Sequence, residues 1–190
     1  MSEADTRADT APARDDGPET AACPGCGAVL VVVPGLTGTH PGGSASCTGL
    51  FAVTVRGLRE EAAQDLRTAS LLQLAADAYD AQHLVAGEPA AAPVRLCLWL
   101  ERGLDPVRTG GLADRVSEAA PRLRIRPDRW TTTVADLAAD MDVVDLPALI
   151  RSWAGAVWTD WAPAHPALRA AADASVADRA SRPPSDHVSQ

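Results

Sequence analysis

The chain contains no lysine: all 17 of its positive charges are arginine, a bias that accompanies its wealth of alanine and points to no particular chemistry. Aromatic side chains are scarce and unevenly chosen, with one Phe and one Tyr against five Trp. Positive charge is also outweighed, since 25 Asp and Glu bring the net charge to −8. That balance excludes a general binder of nucleic acid or of a membrane surface, whose footprint is basic. No apolar run approaches the roughly 18 residues that a membrane span needs. The opening stretch MSEADTRADTAPARDDGPET has neither the basic nor the apolar region of a signal peptide. The expected setting is therefore cytoplasmic, with no nucleic acid and no membrane as partner, where thiols stay reduced. Also missing are a Ser nucleophile elbow, a phosphate loop, a dinucleotide fingerprint and His-Glu-x-x-His.

What is present suits one domain. At 190 residues and 46% apolar content, built mainly from Ala, Val and Leu, the chain is long enough for a sizeable core. Residues 1–20 carry six acids against two Arg and read as a disordered acidic tail. Residues 173–190, which close in SRPPSDHVSQ, read as a second tail and leave His187 without a role. The domain itself is expected over residues 21–172. There AVLVVV (28–33), bounded by Gly27 and Pro34, predicts a short strand, and PGLTGTHPGGSASC (34–47) a loop.

Beyond the loop the period changes to helical. Cys47, Phe51, Val55 and Leu58 share one helix face. DLRTASLLQLAADAYDAQH gives a second helix, with Leu72, Ala76, Tyr79 and His83 on its inner stripe, stopped by Gly87 and Pro89. PVRLCLWLERG, nearly all apolar, reads as the central buried helix and ends at Gly103, with Cys97 as inert core. DPVRTGGLADRVSEAAP gives a weaker, Gly-interrupted helix, and RLRIRPDRW a connector whose default is solvation. TTTVADLAAD carries an acidic capping box from Thr133 to Asp136. The last long segment places Ile150, Trp153, Val157 and Trp161 on one face, and Pro163 and Pro166 break or restart it. The expected class is all-α, about six or seven helices with one small strand element in an N-terminal knuckle.

CPGCG places Cys23 and Cys26 two residues apart with a Gly after each. Such a knuckle turns backbone N–H groups toward two sulfurs that converge on one ion, but a structural zinc needs four ligands. Cys47 follows after 20 intervening residues, within the usual range between zinc half-sites. The two helices on either side of residue 65 read as an antiparallel hairpin, with Cys47 18 residues before the turn and His83 18 after it. At about 1.5 Å of rise per residue both reach the same height at the open end. Cys23, Cys26, Cys47 and His83 are therefore the expected zinc ligands, with His40 in the loop as the rival fourth. A redox dithiol would sit at a helix N-terminus after a strand, the reverse of the order here.

These pieces together resemble a bacterial family of small proteins known only as a domain of unknown function. The resemblance runs from Cys23 to about Arg169 and rests on CPGCG, THPGGSASC, DAYDAQH, LERGLDP, TVADL and WAGAVWTDWAPAH. It implies a zinc knuckle followed by a helical domain, and brings no known reaction. Members also carry a His near the start of the LCLWLERG helix, where this chain has Ala91 to Pro93, and a second His where it has Pro166.

Two functional readings follow. The first is a zinc-binding helical protein whose metal is structural, since Cys3His leaves no open position. The alternative is a small zinc metalloenzyme or tailoring enzyme with a pocket near His83, Glu101 and His165. Asp80, one turn before His83, is placed to orient its imidazole. Trp158, Trp161, His165 and Arg169 follow the helical spacing of a pocket for a small anionic ligand, and the four Arg of RLRIRPDR (122–129) offer a grip on a phosphate or an acidic protein partner.

Overall fold

The computed structural model describes residues 17–141 and 144–177. Most of both expected tails, His187 included, lies outside these. Among the described residues the chain forms nine α-helices, one 3-10 turn and a two-stranded antiparallel sheet, so the all-α expectation with a small strand element holds. No described helix is long and apolar enough to cross a membrane.

The sheet pairs β1 (Thr20–Ala22) with β2 (Val29–Val31), Ala21 opposite Leu30. The valine run foretold β2, whereas its partner lies where the acidic tail was expected to end. Helix α1 (Ala45–Thr54) is followed at once by α2 (Arg56–Glu61), not by one continuous helix. The Thr54 hydroxyl donates to the Leu50 carbonyl at 2.9 Å, a back-bond that bends helices, and Val55 leaves helical geometry. Helix α3 (Leu66–Gln82) starts on an Asp65 cap, whose carboxylate accepts from Thr68 N–H at 2.8 Å. Its deepest stripe is Leu71, Leu74, Ala75 and Ala78. Of the expected stripe Tyr79 and His83 are buried, while Leu72 and Ala76 are only half-buried, because the first turns of α3 are covered one residue round.

Helix α4 (Ala91–Leu100) is the central apolar helix, with Val94, Leu96, Cys97 and Leu98 fully enclosed. The Gly-interrupted segment resolves into α5 (Pro106–Gly110) and α6 (Ala113–Ala119). In α7 (Val134–Asp140) the capping box forms, Thr133 N–H donating to Asp136 at 2.7 Å. Helix α8 (Leu146–Asp160) buries Ile150, Trp153 and Val157, and the 3-10 turn Ala162–Ala164 leads into α9 (His165–Val176). That last helix runs four residues past the expected boundary at 172. Asp173 is held there by Arg102 at 2.8 Å, and Ser175 is buried.

Helix α3 packs between α8 and α4, and α9 covers α4 and α6. Trp153, enclosed on all sides, donates from Nε1 to Gln82 Oε1 at 3.1 Å, and Gln82 Nε2 donates to the Thr132 carbonyl at 2.8 Å. A buried amide so satisfied fixes the end of α3, the end that carries His83.

Candidate metal centre

Four ligand-type side chains from separate stretches of chain meet at the C-terminal end of α3. Cys23 and Cys26 come from the turn between β1 and β2, Cys47 from the first turn of α1, and His83 caps α3. One donor atom from each lies within 4.8 Å of all the others, and all four residues are buried. Cys23 Sγ and Cys47 Sγ each stand 3.4 Å from His83 Nε2, and Cys26 Sγ is 3.7 Å from Cys47 Sγ. A buried group of this composition can hold a metal ion.

Local backbone chemistry explains each position. Cys23 N–H donates to the Ala28 carbonyl at 2.8 Å, and Gly27 N–H to the Cys23 carbonyl at 2.9 Å, with Gly27 at φ 76°. This closes the knuckle in a conformation that favours glycine. Ser44, the serine of THPGGSASC three residues before Cys47, does two things. Its hydroxyl accepts from Cys47 N–H at 3.2 Å and so caps α1, while its own N–H points at Cys23 Sγ from 3.4 Å. His83 Nδ1 lies 2.7 Å from the Tyr79 carbonyl. A carbonyl can only accept, so Nδ1 carries the proton and Nε2 faces the sulfurs.

Three glycines let the knuckle and loop close onto His83 and Tyr79. A Cβ at Gly25 would lie 2.3 Å from His83 Cδ2, one at Gly42 1.8 Å from the His83 carbonyl oxygen, and one at Gly43 2.9 Å from the Tyr79 hydroxyl. The glycines of CPGC and HPGG thus serve close approach: knuckle and loop shut directly onto α3. Tyr79 stacks on His83 with ring centroids 4.0 Å apart and on Phe51 at 4.3 Å. From outside, Arg126 donates to the Pro24 carbonyl and Trp130 Nε1 to the Gly25 carbonyl, both at 3.0 Å. The Arg-rich connector, expected to be solvated, is a strap across the knuckle.

The cluster perturbs its own protonation. Hydrogen bonds from Cys26 and Cys47 hold the Cys23 thiol far below its ordinary value, with His83 and the Ser44 N–H adding to them. Hydrogen bonding to Cys23 and Cys26, together with burial, pushes Cys47 far up. Burial disfavours protonated His83, but its hydrogen bonds to Cys23, Cys26 and the Tyr79 carbonyl outweigh that and raise it to about 9.

His40 stands behind the four. Its Nδ1 accepts from Gly42 N–H at 3.1 Å, its Nε2 lies 3.5 Å from Asp80, and its ring meets His83 edge-on at 5.5 Å. Asp80 therefore pairs with His40, and the Tyr79 carbonyl takes the orienting role expected of Asp80. The structure also divides the pocket expected near His83, Glu101 and His165. Glu101 forms a bidentate pair with Arg169, two contacts of 2.7 Å, and accepts from Trp158 Nε1 at 3.1 Å. His165 stacks on Trp158 at 3.9 Å, donates from Nε2 to its carbonyl at 2.8 Å and receives Arg169 on Nδ1 at 3.3 Å. The Arg169 hydrogen bonds hold Glu101 at about 2, too low for a general base near neutrality. His83 belongs to the sulfur cluster, and Trp161 to neither group. Cys97 sits enclosed in α4, pushed up to about 11 by burial.

No curated protein and no solved structure matches the chain. The profile of a family of unknown function (DUF5946) matches residues 21–162, which takes in all four cluster residues, the strap and α8. The chain belongs to that family of unknown function.

Proposed function

We propose that this is a non-catalytic zinc-binding protein in which Cys23, Cys26, Cys47 and His83 hold one structural zinc ion that ties the knuckle to the helical body. The observation that carries the reading is the spacing of the donors. A tetrahedron with zinc–sulfur bonds of about 2.3 Å and zinc–nitrogen bonds of about 2.0–2.1 Å has edges of about 3.8 Å between sulfurs and about 3.5 Å between sulfur and nitrogen. Three of the six edges match closely, Cys26 to Cys47 at 3.7 Å and His83 Nε2 to Cys23 and to Cys47 at 3.4 Å each, and all four donors lie within 4.8 Å of one another. Four donors of this kind close the coordination shell, which argues for a structural role over a catalytic one that keeps a position for water. The fixed His83 tautomer and the Ser44 N–H at Cys23 are the outer contacts such a site uses. Free cysteines suit a reducing compartment such as the cytoplasm. Metal analysis of protein purified without added zinc is expected to give one zinc per chain. Cobalt exchanged into the site is expected to show the absorption of a tetrahedral three-sulfur, one-nitrogen centre. Protein that carries no ion, or a cobalt spectrum with a bound water, overturns the proposal.

A further inference from the structure

A cleft of about 440 Å³ lies between the connector and the turn that joins α8 to α9. This is within the range of about 300–1,000 Å³ typical of small-molecule sites. Its lining is mostly apolar: Leu123 and Ile125 on one side, Pro163 and Pro166 on the other, and the buried Trp161 between them.

Two observations say what would fill it. Trp161 is 1% exposed, and its Nε1–H is, among the described residues, a buried side-chain donor without a partner. Such donors are rare because their desolvation is uncompensated. Its neighbour Trp130, with ring centroids 6.1 Å apart, gives its own N–H to Gly25 and offers Trp161 a ring instead of an oxygen. The polar groups of the mouth are the second observation. Asp160 is committed to Thr131, taking its N–H at 2.8 Å and its hydroxyl at 2.7 Å. Arg124 and Arg126 line the mouth with Asp128 and Asp160, so its formal charge is balanced, and the contact with the Pro24 carbonyl accounts for one of the five N–H donors of Arg126.

We propose that this cleft binds a small, largely apolar carboxylic acid. Its hydrocarbon part lies against Leu123, Pro163 and Pro166, and its carboxylate faces the Trp161 N–H and the two arginines. The carboxylate supplies both the acceptor that Trp161 lacks and acceptors for the guanidinium donors of the arginines. The site is independent of what the sulfur cluster holds.

The test is a titration of the full-length, ¹⁵N-labelled protein with sodium octanoate, followed at the indole N–H signals, with octylamine as the apolar match of opposite charge. The Trp161 signal is expected to move downfield and saturate with octanoate, and octylamine to bind at least tenfold more weakly. Trp161→Phe, which keeps a ring and removes the N–H, is expected to weaken octanoate about tenfold. Ala167→Trp, on the exposed surface of α9 at the cleft, is expected to abolish binding, and it carries the test if the Phe variant does not fold. A stationary Trp161 signal, equal binding of the amine, or full binding by either variant overturns the proposal.

Discussion

The two ends of α3 belong to regions built on different principles. Between Glu19 and Arg56 the chain has no Asp, Glu or Arg, and three of its few buried side chains are cysteines set against the His83 imidazole and glycine backbone, the others being Ala28, Thr54 and Val55. The body from α3 onward is held by leucine, valine and tryptophan burial, with two ion pairs at the rim, Glu101 to Arg169 and Arg102 to Asp173, and one inside it, Asp77 to Arg95. Valines of the sheet remain in solvent, Val29 at 68% exposed and Val33 at 51%. A two-stranded ribbon with so little apolar cover is marginal by itself. The front therefore depends on what its four donors hold, and the body does not.

The strongest way to break this contrast is to remove the metal. Structural zinc in small domains binds with about 10–16 kcal/mol of apparent free energy, much of it folding free energy. A chelator, or Cys47→Ser, is expected to loosen residues 20–55 while leaving most of the helical signal. Hydrogen exchange resolved by region measures this; uniform unfolding would mean that the two regions are one cooperative unit. The reverse experiment is Trp153→Ala. Trp153 is fully enclosed, and large-to-small changes at such sites cost about 3–5 kcal/mol. The expected outcome is a large fall in denaturation midpoint with one zinc per chain retained. Loss of zinc in the folded variant would show that the body also sets the metal geometry through Gln82.

Gly42→Ala sharpens the comparison at the seam between the regions. The new methyl would lie 1.8 Å from the His83 carbonyl oxygen, which is backbone and cannot swing aside, so the HPGG loop must lift. Disturbing the outer contacts of a metal site costs about 10–100-fold in affinity. Competition with a zinc chelator is expected to find a loss of this size, with helical content unchanged. Gly57→Ala, which meets nothing within 4 Å, serves as the control.

Which parts of this were legible in the sequence follows the same division. Covalent spacing and helical rise bring Cys23, Cys26, Cys47 and His83 to one end without any knowledge of packing. The break at Val55 falls between Cys47 and the turn, so the rise is not that of one helix; Cys47 still meets His83 because α1 lies against the end of α3, Phe51 stacked on Tyr79 and Thr48 hydrogen-bonded to it. The period of Ile150, Trp153 and Val157 and the prolines at 163 and 166 likewise gave α8, its end and the restart of α9. Features set by long-range packing were not visible. Nothing local in RLRIRPDRW says that Arg126 and Trp130 donate to carbonyls about a hundred positions earlier. Nothing in DAYDAQH says that Asp80 turns to His40. The glycines of HPGG were read as turn residues, though a residue needed for a turn and one needed for close approach look the same. Trp158 and Trp161, three apart, suggested one pocket, yet their side chains diverge, one to Glu101 and the other to the connector.

The smallest effect, and one that tests the body alone, comes from Asp77. Its carboxylate is buried against Arg95 Nε at 2.6 Å and Gln73 Nε2 at 3.1 Å. Burial outweighs the arginine and raises its pKa from 3.8 to about 6. The folded state thus binds this proton more tightly than the unfolded chain does. Stability from this group is greatest at low pH and falls as pH rises from about 4 through 6. Between pH 5 and 7 the loss amounts to roughly 1 kcal/mol, because the native group gives up its proton there while the unfolded one already has. Metal binding by thiolates runs the other way, tightening as pH rises, so the wild-type curve mixes the two slopes. Asp77→Asn replaces the titrating carboxyl with an amide that does not titrate. The difference between wild-type and variant unfolding free energies, measured across pH 5 to 7 at saturating zinc, is expected to fall by that amount as pH rises. A difference that stays flat would mean that Arg95 keeps Asp77 ionised throughout, and that the body has no titrating group at its centre.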